Sequence, residues 1–146
     1  MRILFVCTGN TCRSAMAEGI MKHELEKQGV DAYVFSRGIY ASKDNPASGL
    51  AISVLKSNYK IDISKHRSAR LTFDDIENCD IIFVMTENHK SIIHTTLDDD
   101  SIAQKIRIFS ERDIMDPYMG NKKDYEGCSR EIYKGVKKII KEYLKT

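Results

Sequence analysis

The chain has no long hydrophobic run, little proline and glycine, few cysteines and almost no excess charge, and each shortage removes a class of protein. Its apolar N-terminal stretch, Ile3-Leu4-Phe5-Val6, is too short for a signal peptide, and nothing approaches the ~20 apolar residues that span a bilayer. With 2 prolines and 8 glycines there is no Pro/Gly-rich linker, and repeats and low-complexity tracts are absent. Basic side chains number 23 against 21 acidic ones, a net charge of +2, so no basic surface for nucleic acid or for a membrane is expected. The 4 cysteines, Cys7, Cys12, Cys79 and Cys128, are too sparse for a disulfide scaffold. His23, His66, His89 and His94 are scattered, and Cys7-x4-Cys12 lacks a second ligand pair, so no metal site is expected.

What is present suits a single soluble domain over residues 1–146, at 42% hydrophobic and 30% charged. Strand patterns at Ile3 to Val6, Tyr33 to Phe35, Ile81 to Met85 and Ile106 to Phe109 alternate with helical patterns. The helical faces are Ala17, Ile20, Met21, Leu25; Leu50, Ala51, Val54, Leu55; and Ile92, Ile93, Thr96, Leu97. A last helix places Ile132, Val136, Ile139, Ile140, Tyr143 and Leu144 on one face and Lys134, Lys137, Lys138 and Lys141 on a solvated one. This alternation predicts an α/β domain of three layers, a parallel sheet with helices on both faces. Ligands of such sheets bind beyond the carboxyl ends of the strands, where the strand order reverses.

The first strand ends at Cys7-Thr8-Gly9-Asn10-Thr11-Cys12-Arg13-Ser14, and a helical pattern follows. A strand that stops at Cys7 and a helix that begins near Arg13 leave the amides of Thr8 to Arg13 as a nest for an anion. The positive helix end and the fixed charge of Arg13 favour a thiolate nucleophile at Cys7. The Arg13 fork can grip two oxygens of a phosphoryl group, and Ser14 can donate to the sulfur. Gly9 lets the backbone approach the ligand, and Asn10 tolerates a left-handed turn. Spacing alone also fits a buried thiol and a capping arginine. The strand before, the helix after, and Gly and Asn inside favour phosphoryl transfer through cysteine. A Walker-type nucleotide site is excluded, because no Gly-Lys-Ser/Thr follows.

This stretch resembles the loop of the low-molecular-weight protein tyrosine phosphatase family, C-x-G-N-x-C-R-S, with Ala15 where proline is usual. The resemblance implies a four-stranded sheet in order 2-1-3-4 and a phosphocysteine intermediate without metal or cofactor. It also implies a general acid, Asp116, in Met115-Asp116-Pro117-Tyr118, because Asp-Pro-Tyr/Phe is the family's acid loop; the dipeptide by itself is commonly just a turn. Tyr118 and Tyr40 are candidate walls around a flat leaving group, each equally readable as a surface tyrosine. Tyr40 lies in Ser36-Arg37-Gly38-Ile39-Tyr40, where Arg37 departs from the family's alanine, and the segment of His66 resembles the family's His-Arg-Ser connection, which implies that it braces the fold.

Thr11 stands where tyrosine-specific members carry an aliphatic residue, and the Thr11 version of the loop resembles the protein arginine phosphatase branch. A slim hydroxyl suits a charged guanidine better than a phenyl ring, although threonines in turns often bond only their own loop. The expected substrate is therefore phosphoarginine in a protein, with phosphotyrosine the alternative and inorganic phosphate the product. Cys12 is a candidate partner for oxidised Cys7, or a plain buried thiol. An arsenate reductase would need a further cysteine pair, which Cys79 and Cys128 do not form; a non-catalytic phosphate sensor would need neither Cys7 nor Asp116. A monomer in the cytoplasm, where thiols stay reduced, completes the expectation.

Overall fold

The computed structural model describes residues 1–144. Four strands, β1 (Arg2–Cys7), β2 (Tyr33–Gly38), β3 (Ile81–Val84) and β4 (Ile106–Ile108), form one parallel sheet in the order β2-β1-β3-β4. Helices α1 (Arg13–Gln28), α2 (Gly49–Tyr59) and α6 (Lys122–Ile139) cover one face. The short α3 (Phe73–Asn78) and α5 (Asp100–Ala103) cover the other with α4 (Glu87–Leu97). Among the described residues no helix is long and apolar enough to cross a membrane.

Strand β1 is apolar without alternation because both its faces are buried. Ile3, Phe5 and Cys7 join the core under α1, α2 and α6, while Leu4 and Val6 join the one under α3, α4 and α5. Phe5 sits at the centre of the first core, its ring 5.8 Å from those of Phe83 and Phe109. With β2 on one side of β1 and β3 on the other, chain direction diverges at the end of β1, and a crevice opens there.

The structure extends or trims the elements expected from pattern. Strand β2 runs on through Ser36, Arg37 and Gly38, held by pairing with Phe5, Val6 and Cys7 rather than by apolar side chains. Strand β3 stops at Val84 and β4 at Ile108. Helices α3 and α5 are too short for a helical period, and each buries a single isoleucine, Ile76 or Ile102. Their signal lay in their caps: Thr72 and Asp75 form a capping box, and Asp99 accepts from the Ser101 N–H. The last helix changes to a π-helical turn at Ile140–Leu144. Lys134, Lys137, Lys138 and Lys141 are exposed, as a solvated face requires.

Gly38 fixes how closely β2 approaches the loop after β1. A Cβ there would lie 2.6 Å from the Thr8 carbonyl oxygen, 2.8 Å from the Ala41 Cβ and 2.9 Å from the Asn10 nitrogen. Two of these atoms are backbone and cannot swing aside. Gly38→Ala is expected to cost about 1–3 kcal/mol through overpacking, read as a lower urea midpoint with unchanged slope. An unchanged midpoint would show that the loop yields freely.

Candidate active site

The loop Thr8 to Cys12 turns sharply because Asn10 adopts a left-handed conformation, with φ of 59°. Its side chain is fully buried and fully bonded. Asn10 Nδ2 donates to Ser14 Oγ at 2.8 Å and to Ser36 Oγ at 2.9 Å, and Oδ1 accepts the Ala69 N–H at 3.0 Å. The Asn10 carbonyl accepts from His66 Nε2 at 2.6 Å, which is how the His-Arg-Ser connection braces the loop.

The same residue serves the sulfur, since the Asn10 N–H donates to Cys7 Sγ at 3.3 Å. Ser14 Oγ lies 2.9 Å from Cys7 Sγ and 3.5 Å from the Arg37 carbonyl. Because Ser14 already accepts from Asn10, its proton is free, and the nearer acceptor is the sulfur. Two donors thus converge on Cys7 Sγ.

Helix α1 begins at Arg13 with no side-chain cap and no acidic residue in its first turn. Among the described residues, the N–H groups of Gly9, Thr11, Cys12, Arg13 and Ser14 find no acceptor. Arg13 is only 4% exposed. Its Nη1 donates to the Ile114 carbonyl at 3.0 Å, and its Nη2 lies 3.4 Å from both Thr8 Oγ1 and Asp116 Oδ2. Among the described residues its buried Nε has no partner. The Asp116 carboxylate is 47% exposed and leaves the guanidinium only partly compensated. Uncapped amides, a positive helix end and a buried cation with a spare donor together suit an anion.

Asp116 arrives on a loop stitched to the neighbouring turn. The Ile114 N–H donates to the Met85 carbonyl at 2.9 Å, and Asp113 Oδ1 accepts the Glu87 N–H at 2.9 Å. Asp116 Oδ1 accepts the Tyr118 N–H at 3.0 Å, which aims the other oxygen toward Arg13.

These parts enclose a cavity of ≈ 260 Å³ lined by Cys7, Thr8, Gly9, Thr11, Cys12, Arg13, Asp116, Tyr40 and Tyr118, with Ser42 and Asn45. Asn10 and Ser14 lie behind its wall. Tyr40 and Tyr118 are 62% and 63% exposed and stand at the rim. Sequence reasoning missed Ser42 and Asn45, polar loop residues with no motif, and His89. His89 is 4% exposed, with Nε2 2.9 Å from Thr8 Oγ1.

The sequence profile of low molecular weight phosphotyrosine protein phosphatases matches residues 2–146. The chain belongs to that family. It is 34% identical to the protein-arginine-phosphatase of Bacillus subtilis over 145 residues, 99% of this chain and 93% of the relative. Among solved structures it is similar to a low molecular weight protein tyrosine phosphatase from T. tengcongensis. That match has a TM-score of 0.92 and 37% identity, covering 97% of this chain and 99% of the other. It is also similar to the YwlE arginine phosphatase, in a cysteine-to-serine mutant with a phosphorylated active-site serine. There the TM-score is 0.90 and the identity 32%, covering 98% of this chain and 97% of the other.

Departures from the family loop have local explanations. Ala15 is buried in the α1 core. Arg37 donates to Asp75 Oδ2 at 3.0 Å, tying β2 to the capping box of α3. Cys79 and Cys128 lie in different cores, and burial pushes their thiols up to about 11 and about 12. Cys12 Sγ lies 3.3 Å from the Tyr125 hydroxyl and 3.6 Å from Ser48 Oγ, so Cys12 and Cys7 have separate partners.

Burial, and next the charge of Arg13, push His89 down from 6.5 to about 4 against the opposing pull of Asp113 and Asp116. The unfolded chain therefore takes up a proton near pH 6.5 that the folded chain resists until about pH 4. Stability falls as pH drops through that window, by roughly 3 kcal/mol for this group. Urea titrations from pH 7 to pH 4 are expected to show that slope in the native chain, reduced by the same amount in His89→Gln.

Proposed function

We propose that this family member is a protein phosphatase that acts on phosphoarginine through a phosphocysteine intermediate. The observation that carries the reading is the arrangement around one sulfur. Cys7 Sγ takes bonds from the Asn10 N–H and Ser14, and it shares a cavity with the buried Arg13 and the half-exposed Asp116.

In the first step Cys7 attacks phosphorus, an S–P bond forms, and the P–N bond of phosphoarginine (or the P–O bond of an ester) breaks. Asp116, in its protonated form, gives its proton to the departing atom. The loop amides and Arg13 hold the equatorial oxygens as their charge redistributes. In the second step water attacks the phosphocysteine, Asp116 takes a proton from it, and inorganic phosphate leaves with the thiolate restored. Ser14 supports the sulfur as leaving group. No step calls for a metal or cofactor, and a nucleophilic thiol supports a reducing, cytoplasmic setting.

Substrate choice rests on the cavity wall. The Thr11 hydroxyl has one weak neighbour, Cys12 Sγ at 3.8 Å, and remains available at the cavity. A guanidine leaving group presents N–H donors to the carbonyl oxygen of the Asp116 carboxyl group, while the protonated oxygen faces the scissile nitrogen. The 34% identity to a protein-arginine-phosphatase supports the same choice. Tyr40 and Tyr118 favour a second reading, phosphotyrosine, since their faces can flank a phenyl ring.

Cys7→Ser is expected to reduce turnover to background while inorganic phosphate still binds within a few-fold; retained hydrolysis would remove cysteine from the mechanism. Rates on matched phosphoarginine and phosphotyrosine peptides should favour the former. Thr11→Ile should shift that ratio toward the aryl ester by about tenfold or more. An unmoved ratio would sink the role given to Thr11.

A further inference from the structure

His89 is the buried ionisable group that the chemistry above leaves unused. It occupies the first turn of α4, where its N–H donates to Thr86 Oγ1 at 3.1 Å. Its imidazole reaches Thr8 across the sheet end, with Nε2 2.9 Å from Thr8 Oγ1. The same oxygen is 3.4 Å from Arg13 Nη2. Thr8 itself is exposed and lines the cavity.

Hydrogen-bond capacity decides how these three groups are oriented. Arg13 has only donors, so Thr8 Oγ1 accepts from Nη2. Burial and the adjacent guanidinium keep His89 neutral above about pH 4, so its ring carries one N–H. The charges that act on it are Arg13 at the start of α1 and Asp113 and Asp116 on the acid loop, and Glu87 shares the first turn of α4. His89 Nδ1 is buried without a partner. A proton placed there would be an orphaned N–H, which folded proteins rarely tolerate; an unused acceptor is the lesser cost. The proton therefore sits on Nε2 and is donated to Thr8. With both lone pairs of Thr8 Oγ1 engaged, by Arg13 and by His89, its own hydroxyl proton finds no acceptor among the described residues and turns to the cavity.

We propose that His89 is a positioning residue that makes the Thr8 hydroxyl an additional donor to the phosphoryl group and steadies Nη2 of Arg13. The inference rests on the phosphatase reading above. It adds a side-chain donor to a cradle otherwise built of amides and one guanidinium. The hydroxyl meets oxygens that gain charge as the phosphoryl group transfers, so its loss should appear in turnover more than in ground-state binding.

The test is a double-mutant cycle with an aryl phosphate as substrate and orthovanadate as the binding probe. Thr8→Val and His89→Leu should each lower kcat about tenfold, weaken vanadate by a similar factor and move KM by less than about threefold. The double variant should be no worse than the poorer single one. His89→Gln, which keeps an N–H donor near the Nε2 position, should recover most of the loss seen with His89→Leu. Multiplied losses in the double variant, or a Thr8→Val enzyme with native kcat and vanadate affinity, would overturn the proposal. If His89→Leu fails to fold, Thr8→Val alone still decides. A native chain without turnover would instead overturn the phosphatase reading, and vanadate binding, measured without substrate, keeps the two failures apart.

Discussion

Asn10 is the residue on which the site depends, because one side chain and one amide perform tasks that otherwise conflict. The loop must reverse direction sharply to aim its amides at a single point, and it must also supply a donor to the sulfur. A left-handed Asn10 does both, with its N–H on Cys7 and its carboxamide on Ser14, Ser36 and the Ala69 amide. The bonds continue outward, since Ser36 donates to Glu18 at 2.6 Å and Glu18 pairs with Lys22 at 2.6 Å. A buried polar network with every member satisfied is stiff, and stiffness is what a preorganised anion cradle requires. Glycine could make the same turn, but it would leave Ser14 and Ser36 without their donor.

Charge is organised around the same point. A guanidinium that is 4% exposed and paired with a half-exposed carboxylate is an unfavourable thing to bury. Placing it beside an uncapped helix end adds to the excess of positive potential, and the fold tolerates this because the rest of the sheet end is well packed. The two apolar cores meet at β1, whose side chains enter both, and β1 delivers Cys7 to the crevice. The energy that favours folding is spread over the cores, while the unpaired amides and the part-compensated guanidinium gather at the loop after β1, where an anion would meet them.

The legibility of this arrangement in the sequence follows chain distance. Cys7 to Ser14 form one contiguous segment between a strand and a helix, so their juxtaposition could be read from local pattern. Asp116 is different, because Asp-Pro is common in turns and only the family resemblance singled it out. Tyr40 and Tyr118 were visible as aromatic residues near the right strand ends, but not their place at the rim. The contact of His89 with Thr8 spans 81 positions and joins the start of α4 to the loop after β1. Nothing in Thr86-Glu87-Asn88-His89 marks that histidine as buried. Arg37 looked like a departure within the site, whereas its side chain binds Asp75 and serves α3. The extension of β2 escaped pattern reading for a related reason: Ser36 to Gly38 are held by the ladder with β1, a long-range effect that side-chain polarity conceals.

On the proposed reading, a division between floor and wall lets one loop serve different leaving groups. In the proposed reaction the floor, made of amides, Arg13 and Cys7, meets only phosphorus and its oxygens, which are the same in a phosphoramidate and a phosphoester. Selectivity must therefore come from groups that touch the atom being expelled and what it carries. On the proposed reading Thr11, Asp116, Tyr40 and Tyr118 are the groups so placed; all four line the cavity, and each is at least partly open to solvent. Open walls change in sequence at little cost to folding, whereas Asn10, Ser14 and Arg13 are buried and bonded on several sides. On that reading, replacing a wall residue alters the substrate while the sulfur and its donors stay where β1 and α1 put them.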